Sequence, residues 1–296
     1  MNNKPRETSL EKHLQRILIT GASGQIGSEL QDLLREREDV ETFFLDRKQL
    51  PLDQTLIIQD ILGMYQPDII IHAAAYTAVD KAESEPELAD AVNHLASEEI
   101  AQYCRLSGVK LLALSTDYVF DGCSSIPLKE DAPTRPLNVY GLTKWKGEQA
   151  IQKWAPDSII IRTSWVYSQY GNNFVKTMMR LMGERTELSV VNDQIGSPTY
   201  AGDLAQAIVD IIGADTWHAG IYHYSNEGQL SWYELALAIR DMTSAGCEIS
   251  PISSSQYPTA AKRPTYSLLD KIKIKDTFGL EIPYWKDSLR KFIKAN

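Results

Sequence analysis

A tyrosine and a lysine four residues apart, Tyr140 and Lys144, are the side chains of this 296-residue chain best suited to acid–base chemistry. A spacing of four puts both on one face of a helix. There an ammonium can favour a phenolate and make a phenol, ordinarily of pKa about 10, useful as a proton donor or acceptor near neutral pH. Upstream lies Leu114-Ser-Thr116-Asp117-Tyr118-Val-Phe120, where Thr116 closes an apolar run and is placed to hydrogen-bond a carbonyl or its alkoxide. Near the start, Gly21-Ala-Ser23-Gly24-Gln25-Ile26-Gly27 follows one apolar run and opens a helical pattern, the context that a phosphate-binding loop requires. Hydroxyl, phenol, amine and glycine loop are together the parts for moving a hydride to or from a carbonyl.

Each of these residues also has a plainer reading. Gly21 permits a tight turn, Gly24 lets backbone amides approach a pyrophosphate, and Gly27 lets helix pack on strand, with the helix N-terminus facing the phosphate charge. The spacing is Gly-x-x-Gly-x-x-Gly rather than Gly-x-Gly-x-x-Gly, so a structural turn competes. Asp46, ending the second strand, suits the hydroxyls of an adenosine ribose, whereas Arg47 beside it suits a 2′-phosphate; NADH and NADPH both stay open. Asp53 is a candidate near the adenine, against a solvated loop carboxylate. Ala73-Ala74-Ala75 leaves room for a flat cofactor at a strand end, or is simply good packing. Thr116 alone would cap a turn with Asp117. Gly171-Asn172-Asn173-Phe174 offers polar contacts to a sugar or phosphate, or an Asn helix cap. Arg263 offers a cation to a diphosphate, or is an ordinary surface arginine. His13, His72, His94, His218 and His223 show no metal-ligand spacing and read as structural or exposed.

These residues need a scaffold, and the first half of the chain supplies its pattern. Strands are predicted over 16–20, 41–45, 68–72, 110–115 and 158–162. Helices are predicted over 25–37, 55–65, 86–107 and 139–155. Near-continuous apolar strands between helices make a parallel sheet buried on both faces, an α/β, doubly wound (Rossmann) domain over 16–165. Beyond Trp165 the pattern loosens: helices are predicted over 174–183, 202–212 and 232–242, a strand over 188–192, and a loop over 253–263. Segment 188–212 is expected to return to the sheet, with 166–187 and 213–296 forming a smaller, mostly helical substrate lobe. Residues 1–15 read as a flexible extension, with a short helix from Leu10.

Net charge is −9 with 43% hydrophobic residues, ordinary for a soluble globular chain. The acidic balance argues against a nucleic-acid partner. Three scattered cysteines, Cys104, Cys123 and Cys247, form no disulfide framework and fit a reducing cytoplasm. No apolar run is long enough to span a membrane and no secretory signal is visible. There is no Gly-x-Ser-x-Gly elbow and no His-Glu-x-x-His.

Seven ordered blocks carry a resemblance: AAAYTAVDKAESEP (73–86), STDYVFDG (115–122), PLNVYGLTK (136–144), RTSWVY (162–167), GNNFVKTM (171–178), NDQIGSPT (192–199) and AKRP (261–264). In these the chain resembles the extended short-chain dehydrogenase/reductases and, among them, the dTDP-4-dehydrorhamnose reductases. The resemblance runs from about Arg16 to near Pro283. It implies NADPH- or NADH-dependent reduction of the C4 keto group of dTDP-4-dehydro-L-rhamnose to dTDP-L-rhamnose, for cell-surface polysaccharide. It implies catalytic roles for Thr116, Tyr140 and Lys144. Cofactor contacts would come from Gly21, Ser23, Gly24, Gln25, Ile26, Gly27, Asp46, Asp53, Ala73, Ala74, Ala75, Tyr140 and Lys144. Thr77, Val79, Tyr118, Trp165, Asn172 and Arg263 would lie toward the sugar nucleotide. Some relatives bridge a dimer with magnesium through acidic residues near the C-terminus. The tail here, 291–296, has no carboxylate side chain, so no metal is expected and the chain is read as monomer or homodimer. Other readings are a different nucleotide-sugar 4-ketoreductase, an epimerase, or a non-catalytic dinucleotide-binding regulatory subunit. A dehydratase would carry Thr-Asp-Glu where this chain has Thr116-Asp117-Tyr118.

Overall fold

Six parallel strands form the central sheet of the computed structural model, which describes residues 14–295. From one edge to the other they are Val40–Leu45, Gln15–Thr20, Ile69–His72, Lys110–Thr116, Ile159–Thr163 and Gly220–Tyr224. Side chains alternate across it. Ile17, Ile19, Ile69 and Ile71 face the helices Gln25–Leu34 and Ala201–Ile212, while Leu18 and Ile70 face Ile58–Tyr65 and Ala96–Ser107. Both faces are therefore covered, which is why these strands read as unbroken apolar runs. The chain leaves the first strand toward one side and returns to the third on the other. The crevice opens at the carboxyl ends of those two strands, the usual ligand position in such a sheet.

The expected return over 188–212 divides. Helix Ala201–Ile212 does pack on the sheet, through Leu204 and Ile208. Strand Glu187–Val191, however, pairs with Glu248–Ile252 in a separate two-stranded ribbon. The sixth strand of the main sheet is Gly220–Tyr224, inside the stretch assigned to the lobe. Its sequence, GIYHY, hides the strand because His223 and the tyrosines interrupt the apolar run. Glu187–Val191 alternates exposed and buried residues, the mark of a strand with one wet face.

Around that ribbon a second core gathers Val175, Met178, Leu188, Leu235, Ile239, Leu289 and Phe292. Helices Phe174–Glu184, Trp232–Thr243 and Trp285–Ala295 supply most of it, so the lobe is largely helical as expected. Trp232–Thr243 starts on a reciprocal cap between Ser231 and Glu234, which satisfies two otherwise orphaned amides. The helix expected over 86–107 carries an internal π segment, Ala91–Leu95, and the one expected to reach Arg37 ends at Leu34. Residues 1–13, including most of the predicted extension and His13, lie outside the described part; Gln15 already belongs to the first strand. Among the described residues no helix is long and apolar enough to cross a membrane, and no group of three acidic, His or Cys side chains is arranged to hold a metal ion.

Candidate active site

The crevice is a cleft of about 460 Å³. Gly21 turns the chain out of the first strand with φ +76°, a conformation that favours glycine. A Cβ on Gly27 would stand 2.2 Å from the Gly21 carbonyl oxygen, so the helix Gln25–Leu34 can lie this close only with glycine there. That helix begins at Gly24 with no side-chain cap and no acidic residue in its first turn. Its first amides and its positive end are thus left for an anion, as a pyrophosphate requires. Ser23, Gln25 and Ile26 line the cleft with the three glycines, as do Ala73, Ala74 and Ala75 from the end of the third strand.

Asp46 and Asp53 line the cleft, as does Arg47. The Asp46 carboxylate already accepts the amides of Lys48 and Gln49, at 2.8 and 3.1 Å, so it braces a turn as well as facing the cleft. Asp53 lies 3.7 Å from the largely exposed Arg47 guanidinium. Arg47, next in sequence to Asp46, thus brings an exposed cation to the same part of the cleft.

Tyr140 and Lys144 come from the helix Val139–Trp154, started by the Asn138 side chain, which accepts the Gly141 amide at 2.8 Å. Both line the same cleft as the glycine loop. The Lys144 ammonium is buried and donates to the Leu114 carbonyl at 2.8 Å. Burial pulls its pKa down to about 8, with Glu148 pulling the other way. Burial pushes the Tyr140 phenol up to about 12; a hydrogen bond with Thr116 lowers it and the Asp117 charge raises it further. The expectation that Lys144 brings the phenol toward neutral pH is not met in this geometry. Tyr140 stands protonated, the form that a reduction uses, and Lys144 is mostly charged at neutral pH.

Thr116 is 4% exposed and hydrogen-bonds the Tyr140 phenol. Its hydroxyl donates to Asp117 Oδ1 and accepts the Tyr118 amide, both at 3.2 Å. Tyr118 packs edge-on against Tyr140, ring centroids 5.5 Å apart. Thr77 and Asn172 do line the cleft, whereas Asn173, not Asn172, caps the helix Phe174–Glu184. The remaining sugar-side candidates lie off the cleft wall. Val79 opens a short helix, Val79–Ala82. Trp165, at φ +49°, stacks on Trp232 with centroids 3.7 Å apart. Arg263 is held by Asp80, Nη2 to Oδ2 2.6 Å, and is not a free cation.

Two residues that the sequence did not single out support this site. Asn93, in the π segment, accepts the Tyr76 amide at 2.8 Å and donates to Thr143 at 3.1 Å, joining the third-strand loop to the Tyr140 helix. Gly147 lets that helix approach: a Cβ there would be 2.3 Å from the Asn93 carbonyl oxygen. The available signal was an asparagine inside a helical pattern, and glycines at 141 and 147 inside another.

A doubly wound sheet whose glycine loop shares one cleft with a Tyr-x-x-x-Lys helix defines a dinucleotide-binding oxidoreductase of the short-chain dehydrogenase/reductase kind. The family model for the RmlD substrate binding domain matches residues 15–296, and the chain belongs to that family. It is 42% identical to a dTDP-4-dehydrorhamnose reductase of Aggregatibacter actinomycetemcomitans, over 94% of this chain and 98% of that one. It is 38% identical to the spore coat polysaccharide biosynthesis protein SpsK of Bacillus subtilis, over 95% and 98% of the two chains. A crystal structure of dTDP-4-dehydrorhamnose reductase from Bacillus anthracis in complex with NADP superposes with TM-score 0.90, at 40% identity, covering 96% of this chain and all of that one.

Proposed function

We propose that this protein is an NAD(P)H-dependent reductase that converts the C4 ketone of dTDP-4-dehydro-L-rhamnose to the alcohol of dTDP-L-rhamnose. The observation that carries the reading is the shared cleft: the glycine loop, Tyr140 and Lys144 line it together, with Thr116 hydrogen-bonded to the phenol. The bound reduced dinucleotide supplies the hydride. Gly21, Ser23, Gly24 and Gly27, with the open start of their helix, hold its pyrophosphate; Asp46 and Arg47 face its adenosine ribose; Ala73 to Ala75 make room for it. Tyr140, protonated across the neutral range, gives its proton to the alkoxide oxygen. Lys144 keeps a positive charge beside the developing negative one and stays anchored on Leu114. Thr116 holds the carbonyl oxygen. Thr77 and Asn172 are the sugar-side contacts this geometry favours, and Val79, Tyr118, Trp165 and Arg263 are the further candidates.

A positioned proton donor contributes on the order of 10² to 10⁴ in rate. Tyr140→Phe therefore lowers turnover of dTDP-4-dehydro-L-rhamnose by that factor, followed as loss of the near-ultraviolet absorbance of NADPH, and leaves NADPH binding within a few-fold. Full turnover in that variant would remove Tyr140 from the mechanism. A wild-type protein that binds NADPH but consumes none with the keto sugar would instead be a binding subunit.

A further inference from the structure

Asp117 is a carboxylate that the reaction as written does not use. It is 1% exposed. One oxygen, Oδ1, accepts the Thr116 hydroxyl at 3.2 Å. The other, Oδ2, is buried and has no hydrogen-bond partner. The Ser267 side chain and the amides of Asp117 and Tyr118 also lie near enough to favour the charged carboxylate, and burial outweighs them. Tyr118 and Tyr140 face it with neutral rings, and the charges of Arg263 and Asp80 lie beyond Tyr118. No lysine, arginine or histidine pairs with it among the described residues. A buried carboxylate with an empty oxygen and no cation is a costly state, and the protonated acid relieves it.

The arrangement sets a conflict over one proton. A threonine hydroxyl has a single hydrogen to donate. The Thr116 oxygen already accepts the Tyr118 amide, and its one hydrogen lies toward Asp117, with the Tyr140 phenol a second claimant. That hydrogen cannot at the same time hold a substrate carbonyl, which is the role the proposed function gives to Thr116. We infer that Asp117 is a positioning residue whose protonated form donates to Thr116 Oγ1 and thereby turns the Thr116 hydrogen toward the substrate's carbonyl oxygen. Ionised, Asp117 takes that hydrogen for itself and the carbonyl loses one donor. No proton leaves Asp117 in the catalytic step: the acid takes its proton from solvent beforehand, the Thr116–Asp117 bond reverses, and the Thr116 hydrogen gains the carbonyl as acceptor. Burial already pushes its pKa to about 6, so the two forms exchange within the working range.

The inference rests on the proposed reductase reading, and Asp117→Asn separates the two. Asparagine keeps an N–H donor toward Thr116 and cannot ionise. In the wild type, kcat/KM for dTDP-4-dehydro-L-rhamnose falls as pH rises through the Asp117 titration. In Asp117→Asn that limb is absent, and at the alkaline end the variant exceeds the wild type several-fold, with KM for NADPH unchanged. Persistence of the same limb in Asp117→Asn overturns the inference, as does a tenfold loss of kcat at every pH in a variant that binds NADPH normally. Infrared difference spectra give a readout free of turnover: at pH 5, where an ordinary aspartate is largely ionised, the wild type minus Asp117→Asn difference shows a carboxylic-acid carbonyl band. Absence of that difference band overturns the inference even if the protein reduces the sugar. Absence of wild-type turnover with the band present would instead defeat the reductase reading alone.

Discussion

The chemistry of this site is decided by burial more than by charge pairing. The phenol of Tyr140 and the ammonium of Lys144 move in the directions that desolvation dictates, up to about 12 and down to about 8, although they share a cleft. A high phenol pKa suits a donor to an alkoxide, which is the stronger base. It suits the reverse reaction poorly, since a phenol must then lose its proton first. These single residues were legible in the sequence because a hydroxyl, a phenol and an amine at fixed spacing signal function by type alone. Partners far away in the chain were not. Arg263 stood out, but Asp80, which grips it from 183 residues away, did not. Asp80→Ala leaves that guanidinium with only the Ala261 carbonyl as partner and strips the Ala261 amide of its acceptor. Because the pair is partly exposed, stability should change by no more than about 1 kcal/mol in urea unfolding. If Arg263 meets the sugar nucleotide, KM for the sugar should rise several-fold while KM for NADPH stays put.

At the scale of elements, the site depends on two close approaches. One is the helix Gln25–Leu34 over the Gly21 turn. The other is the Tyr140 helix over the π segment Ala91–Leu95. Sequence periodicity placed the helices to within a few residues because one stripe of each is buried on the sheet. It missed the π segment, since one extra residue in a turn leaves no compositional mark. It also misplaced the sixth strand, whose apolar run is broken by His223, a buried side chain satisfied by the distant Leu128 carbonyl. The consequence is testable at Gly147, whose added Cβ would meet backbone rather than a movable side chain. Gly147→Ala has to push the helix carrying Tyr140 and Lys144 off the π segment. It should cost about 1–3 kcal/mol of stability, as overpacking does. It should also lower kcat in a variant still folded by circular dichroism. The equivalent change at Gly183, where a Cβ meets nothing within 4 Å, should do neither.

Across the whole molecule, buried polar groups knit the sheet to its surroundings, and composition alone could not reveal them. The Arg162–Glu148 pair is almost fully buried, with side chains 3% and 1% exposed, and ties the fifth strand to the Tyr140 helix. Beneath the glycine loop, His72 joins Thr20 at 2.9 Å and Ser97 at 3.3 Å across three elements. Burial, aided by the Lys144 charge, holds the His72 pKa near 3 against an ordinary 6.5. The sign of the linkage follows from proton counts. The unfolded chain binds a proton at this histidine below about pH 6.5 and the folded chain does not, so its contribution to stability is whole above 6.5 and shrinks as pH falls. The slope is about 1.4 kcal/mol per pH unit for one histidine. Asp117 has the opposite sign, since its raised pKa means the folded state holds a proton that the unfolded state has lost. Total acid sensitivity therefore mixes the two, and a difference measurement isolates one. His72→Asn keeps a polar group near Thr20 but cannot titrate. Unfolding free energies of wild type and variant, measured in urea at intervals from pH 7.5 to 4.5, should differ most at the neutral end. The gap should close by about 1.4 kcal/mol per unit below pH 6.5. A gap constant across that range would mean that His72 is protonated, or solvated, in the folded protein.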